Sequence, residues 1–172
     1  MTKQAKGDGR MADQAKMETA RATYELLCST LERAKVKITR NDEALRVDYT
    51  YKGDDLLMPF TFVVDADRCF VRLLSPMSPR VKEDKRLDMA VALSLLNYRL
   101  AFGCFDLDMN DGELRFRMVN SYRDTPLSEE VFAMMLQTGY AIVEKYNDKL
   151  FSLAAGIISL EQFVSALSEP KN

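Results

Sequence analysis

The sequence predicts an α+β fold: an antiparallel sheet of about six strands from three hairpins, with helices packed mainly on one face. Three observations predict it. In long stretches apolar residues recur at three- and four-residue spacing, which marks helices with a buried stripe. Between those stretches they alternate singly, the period of half-buried strands. Turn-forming residues such as Asn41-Asp42 and Asp111-Gly112 separate the alternating runs.

The 172 residues are 47% hydrophobic and 29% charged, enough for one core with a solvated surface. Residues 1–16 hold Lys3, Lys6, Asp8, Arg10, Asp13 and Lys16 with almost no apolar anchor, and read as a mobile N-terminal tail. Residues 17–168 read as a single α+β domain, and 169–172 as a C-terminal tail.

From Met17 to Ala34 the stripe Ala20, Tyr24, Leu27, Cys28 and Leu31 predicts a helix. The period then drops to two. Val36 and Ile38, then Leu45, Val47, Tyr49 and Tyr51, make a hairpin turning at Arg40–Glu43 and ending at Gly53-Asp54-Asp55. A second hairpin carries Met58, Phe60, Phe62 and Val64 against Cys69, Val71 and Leu73. A two-residue loop at Ala66-Asp67 would pair Asp65 with Arg68. Ser75-Pro76-Met77-Ser78-Pro79 breaks the strand.

Glu83–Ala101 reads as a helix. Leu87, Val91, Leu95 and Tyr98, with Ala90, Leu93, Leu96 and Leu100, make it apolar on most sides, the signature of a central buried helix. Its Asn97 reads as an amide satisfied by nearby backbone. In the third hairpin a two-residue turn at Asp111-Gly112 would face Leu107 with Phe116, Asp108 with Arg115 and Asp106 with Arg117. Thr125-Pro126-Leu127-Ser128-Glu129-Glu130 opens a third helix, with Ser128 as N-cap and a bend or break expected near Asn147-Asp148. Ser159 with Gln162 resembles a capping box and opens a short last helix.

Composition narrows the chemistry. With 24 basic and 26 acidic residues the net charge is −2, so nothing draws the chain to nucleic acid or to an anionic membrane. There is no His, which excludes Ser-His-Asp and Cys-His catalysis, His-ligated zinc and a His pH switch. Cys28, Cys69 and Cys104 form no C-x-x-C pair, and read as buried thiols in a reducing cytoplasm. No apolar run approaches the ~18 residues of a membrane span, and MTKQAKGDGRMADQ carries no apolar signal stretch. Asp106, Asp108, Asn110 and Gly112 suggest a calcium loop, but counting from Asp106 puts Asp111 where an EF-hand needs Gly and Arg117 where it needs Glu. No catalytic residue, metal ligand or cofactor site is identified, and no cofactor is expected.

Leu95-Leu96-Asn97-Tyr98, Gly103-Cys104-Phe105-Asp106-Leu107-Asp108, Gly112-Glu113-Leu114-Arg115-Phe116-Arg117 and Leu127-Ser128-Glu129-Glu130, with Tyr146 through Gly156, resemble the bacterial YbjN family of sensory transduction regulators. The resemblance covers roughly residues 17–158. It implies a fold like class I type III secretion chaperones, small acidic dimers that bind extended segments of partner proteins.

The reading is therefore a non-enzymatic, cytoplasmic, protein-binding or chaperone-like regulator: a homodimer with a protein or peptide partner. The rivals are an enzyme using carboxylate, Arg or Tyr chemistry, and a structural subunit of a larger complex. The partner-binding candidates come from the second hairpin. Its inward residues join the helices, yet its outward row, Leu57, Pro59, Val63, Phe70 and Leu74, is also apolar. The other hairpins present Arg46, Asp48 and Thr50, or Asp106, Asp108, Arg115 and Arg117, on the outer side. An apolar patch amid charges is the usual form of an interaction surface.

Overall fold

The computed structural model describes residues 4–54, 56–123 and 127–168. The elements run α1 (Gln4–Arg33), β1 (Ile38–Asn41), β2 (Arg46–Lys52), β3 (Leu57–Asp65), β4 (Phe70–Met77), α2 (Arg86–Asn97), β5 (Cys104–Leu107), β6 (Leu114–Ser121), α3 (Glu129–Ala154) and α4 (Leu160–Ser168). The six strands form one sheet in the order β1-β2-β3-β4-β6-β5. The α+β expectation stands in class and in strand number. The chain falls into two compact units: residues 1–50, 60–73 and 119–136, and residues 51–59, 74–118 and 137–172.

In the first unit, α1 buries Ala20, Tyr24, Leu27, Cys28 and Leu31, the stripe its spacing predicts. The helix begins at Gln4, well before Met17. Residues 4–16, expected as a tail, are part of this helix. At its other end Lys35 takes φ 58, and the Val36 N–H reaches back to the Leu31 carbonyl. Val36 is spent on this helix stop, so β1 starts only at Ile38. β1 and β2 pair antiparallel, with Ile38 opposite Tyr49 and Asn41 opposite Arg46; Arg40 and Asn41, expected in the turn, belong to the strand. The Tyr24 hydroxyl donates to Asp42 (2.8 Å), and Arg40 bridges Glu25 (2.7 Å) and Asp42 (3.0 Å). Tyr49 stacks on Phe60 at 5.4 Å, and Phe62 meets Phe132 edge-on at 6.5 Å.

The alternation along β3 and β4 buries Phe60, Phe62, Val64, Val71 and Leu73. The two-residue loop between them is not formed. Asp65 ends β3, Phe70 begins β4, and the four residues between them turn, with Cys69 at φ 56. Arg68 lies in that turn, and its N–H donates to the Asp65 carboxylate (3.0 Å) instead of pairing across a ladder. Neither Ala66 nor Asp67 is a Gly or Asn that would favour the tight turn, so a wider one forms.

In the second unit, β5 and β6 pair with Phe105 opposite Phe116 and Leu107 opposite Leu114. The expected register is therefore shifted by two residues, which leaves every side chain on its predicted face. The cause is a wider turn: the Gly112 N–H donates to the Asp108 carbonyl and the Asp108 N–H to the Glu113 carbonyl, both at 2.8 Å. Gly112 has φ 78, and its carbonyl accepts from the buried Val81 N–H at 2.8 Å. Arg86 donates to the carbonyls of Val81, Met109 and Asn110 and ties this hairpin to the start of α2.

The α2 region is shorter than expected: a 3-10 turn at Glu83–Lys85 precedes a helix that ends at Asn97. α3 runs unbroken through Asn147-Asp148. The helix penalty of those two residues is small, and Tyr146, Leu150 and Leu153 keep a buried stripe across them. The helix stops at Gly156, where φ is 73 and the Ile157 N–H reaches the Ser152 carbonyl at 2.8 Å. The capping box forms: Gln162 N–H donates to the Ser159 hydroxyl (3.3 Å), and Ser159 N–H to the Gln162 side chain (2.8 Å). α4 packs against α2. Thr125 and Pro126, read as part of a helix start, and Asp55, read as part of a turn, lie outside the described residues.

Candidate functional site

α2 is where the structure departs most from expectation. Its core side carries Met89, Ala92, Leu93 and Leu96, all buried. The other side carries Leu87, Val91, Leu95 and Tyr98, exposed at 73%, 49%, 41% and 93%, with Phe102 beyond it at 56%. A helix apolar on most sides is expected to be a central buried one; here only one side of it is buried. The exposed residues recur at steps of four, four and three, so they form one continuous stripe. The signal was present in the sequence as two apolar stripes on one helix, but periodicity does not tell which of them is covered inside the chain.

The predicted outward row divides between the two units. In the second, Leu57 is 68% exposed, Pro59 is exposed and Leu74 is half-buried. In the first, Val63 and Phe70 are half-buried, and the Arg72 guanidinium lies over the Phe70 ring at 5.7 Å. None of the five belongs to the buried core. On the outward side of β2, Arg46 clasps Asp48 through contacts of 2.7–3.0 Å, and Thr61 donates to the same carboxylate at 2.6 Å. The outward side of β2 thus carries a hydrogen-bonded polar network, as alternation predicts.

β5 is an edge strand, and Asn97 occupies part of that edge. Its side-chain amide donates to the Phe105 carbonyl (3.0 Å) and accepts from the Phe105 N–H (2.8 Å). These backbone groups point away from β6, and one amide satisfies both, which is the role expected of Asn97.

The acids read as a weak calcium candidate are held by other partners. Asp106 pairs with Arg117 at 2.6 Å and Arg115 at 3.5 Å. Asp108 instead caps its own turn, accepting from the Asn110 N–H at 2.8 Å. It does not pair with Arg115, because the register shift places Asp106 opposite that residue. Burial alone would raise the Asp106 pKa, but hydrogen bonds and charge from Arg117 outweigh it and hold the carboxyl below the usual range. Beside it, burial and the Asp106 charge push the Cys104 thiol up, although Arg117 donates to the sulfur at 3.2 Å. A thiol kept protonated is a poor nucleophile.

The chain's residues 23–152 match the sequence profile of a protein family described as "Putative bacterial sensory transduction regulator", YbjN. The chain belongs to the YbjN family. No curated protein matches it. Among solved structures, the chain is similar to YbjN of E. coli, with a TM-score of 0.56 at 14% identity over 73% of this chain and 91% of that one. It is also similar to a chain of the ExsC-ExsE complex, with a TM-score of 0.54 at 17% identity, 74% of this chain and 92% of that one being covered. The HopA1-SchA chaperone-effector complex matches at a TM-score of 0.45 and 18% identity, over 81% of this chain and 94% of that one. The fold of this YbjN-family chain is accordingly the one seen in E. coli YbjN and in that chain of the ExsC-ExsE complex. Among the described residues, no helix is long and apolar enough to cross a membrane.

Proposed function

We propose that this YbjN-family chain is a non-enzymatic, cytoplasmic regulator that works by holding a segment of a partner protein, and that it does so as a homodimer. The observation that carries the reading is the apolar surface left outside the core in both units. Leu57, Pro59 and Leu74 remain accessible on β3 and β4 of one, Val63 and Phe70 on the same strands of the other. Leu57 in particular places a large aliphatic side chain two-thirds in solvent, where only a partner would bury it. Fold likeness to chains crystallised with protein partners supports the same class of function.

A photo-crosslinking amino acid at position 57 tests the proposal. In cells of the source organism it should capture a discrete protein, and the captured peptides should map to one extended apolar segment. Adding Leu74→Asp, in the same unit, should abolish capture while the far-ultraviolet circular dichroism spectrum is kept. Position 57 crosslinking only to solvent, or to a random sample of the proteome, would refute the assignment.

A further inference from the structure

We infer that Arg72, with the apolar residues that share its face, takes an acidic side chain from the held partner segment: one Asp or Glu flanked by apolar residues. The inference rests on the segment-holding reading above and names the chemistry of the segment. All the residues involved belong to the first unit. Val63 and Asp65 at the end of β3, and Phe70 and Arg72 at the start of β4, alternate with buried neighbours, so all four share the outer face. The Tyr122 N–H and the Ser121 hydroxyl both donate to the Cys69 carbonyl (3.0 and 3.3 Å), which sets the end of β6 beside the start of β4. On its outer side β6 there carries Val119, 41% exposed. Arg72 thus stands on a face whose apolar members are Val63, Phe70 and Val119.

Charge complementarity identifies the occupant. Two other outward arginines are clasped by their acids: Arg46 makes contacts of 2.7, 2.8 and 3.0 Å with Asp48, and Arg117 makes contacts of 2.6 and 3.0 Å with Asp106. Arg72 reaches Asp65 through a single Nη2 contact of 3.5 Å. Arg68 shares that same carboxylate oxygen at 3.7 Å, and the other oxygen accepts the Arg68 N–H at 3.0 Å. One carboxylate therefore answers two guanidinium groups. Asp67, in the same turn, pairs with neither of them among the described residues. The Arg72 Nε is buried with no hydrogen-bond partner, and its Nη1 has none among the described residues. A guanidinium carries five N–H donors in one plane, a fork that the two oxygens of a carboxylate match. The face of that plane lies over the Phe70 ring at 5.7 Å, which orients the fork and leaves its edge for a ligand. The apolar surround decides between a free anion and a segment. A small anion would leave Val63, Phe70 and Val119 in water. In an extended segment residues two apart share a face, so Leu-x-Glu-x-Leu sets an apolar side chain on either side of the acid. Those apolar side chains exclude water from the ion pair and so strengthen it.

Fluorescence anisotropy of the full chain with defined probes supplies the test. The probes are capped, fluorescein-labelled peptides Ser-Ser-Leu-Ser-Xaa-Ser-Leu-Ser-Ser, with Glu, Gln, Lys or phosphoserine at Xaa. The wild type should bind the Glu peptide about tenfold more tightly than the Gln peptide, a difference of about 1.4 kcal/mol, and the Lys peptide most weakly. Arg72→Gln and Arg72→Lys should each cut the preference for Glu over Gln below about threefold with an unchanged circular dichroism spectrum, the second because an ammonium lacks the fork. Val119→Ser should weaken the Glu and Gln peptides alike and keep the preference between them. The peptide series on the wild type needs no variant, so misfolding of one variant leaves the test intact. Equal affinity for the Glu and Gln peptides, no binding of any peptide, or a preference that survives both Arg72 variants would overturn the inference; capture at position 57 would then keep the segment-holding proposal standing. A phosphoserine peptide bound about tenfold more tightly than the Glu peptide would also overturn it, and would assign the site to a phosphorylated segment. A Glu preference that depends on Arg72, with no capture at position 57, would leave this inference standing and refute the assignment at Leu57.

Discussion

Replacing Gly112 by Ala isolates two costs that are usually mixed. Gly112 sits at φ 78, where a Cβ is disfavoured by about 1–2 kcal/mol. A Cβ built there would also lie 2.1 Å from the Val81 carbonyl oxygen and 3.0 Å from its carbonyl carbon. Both are backbone atoms, so the contact cannot be relieved by a rotamer change. The turn must move away from Val81, which endangers the 2.8 Å bond from Val81 N–H to Gly112 carbonyl. Leaving that buried N–H unpaired costs a further ~1–3 kcal/mol. Gly112→Ala should therefore lose roughly 2–5 kcal/mol, the sum of the two effects. Gly156 provides the control. It has nearly the same φ, 73, but its Cβ would meet only the flexible end of Lys85, at 3.4 Å. Gly156→Ala should show the conformational cost alone, about 1–2 kcal/mol. Gly112→Asn separates the effects further, because Asn tolerates positive φ but still carries the clashing Cβ. Urea unfolding by intrinsic tyrosine fluorescence and circular dichroism would measure all three. Equal losses at positions 112 and 156, or full tolerance of Asn at 112, would refute the reasoning.

Four further outcomes are expected. Asn97→Ala should destabilise by about 1–3 kcal/mol in urea melts, because both Phe105 backbone groups lose their partner; Asn97→Asp should not rescue it at pH 7, because a carboxylate oxygen would then face the Phe105 carbonyl. Tyr24→Phe should cost about 1 kcal/mol through loss of the hydroxyl bond to Asp42, read from the thermal midpoint. Ser159→Ala should cost about 1 kcal/mol by removing the α4 cap, and should loosen hydrogen-exchange protection of α4 before that of α3. Asp106 is held below its usual pKa when folded, so its contribution is present above the ordinary carboxylate range and fades as pH falls through the folded value. The urea midpoint should thus drop as pH falls below the ordinary carboxylate range in the wild type, and Asp106→Asn should lower the midpoint at pH 7 while narrowing that drop.

Much of the fold was legible because strand and helix periods differ, and face assignments depend only on parity. The third hairpin shows the limit. Asp111-Gly112 marks a turn, and Gly112 does take positive φ. The hydrogen bond closing the turn, however, is set by Asp108 and by docking onto Val81, which the local sequence does not reveal. A shift by two residues preserved the faces and changed the partners, so Asp106 kept Arg117 and gained Arg115, and Asp108 lost its expected arginine. The α2 stripe was misread for a related reason. Hydrophobicity reports that a side chain avoids water, but not whether its cover comes from the same chain. The outward row of β3 and β4 was legible because its neighbours set a standard: the outer side of β2 is polar, and Leu57 and Pro59 break the pattern.

The single amide of Asn97 bears on how this protein stays finite. Unpaired backbone along a sheet border can recruit another strand, and the newcomer brings a fresh border of its own, so such growth has no natural end. At Phe105 that invitation is withdrawn by a side chain from the same chain. Whatever joins the molecule near β5 has to fit side chain against side chain, a kind of contact that is used up once made. Removing the Asn97 amide would free the Phe105 N–H and carbonyl at this border to pair with another strand.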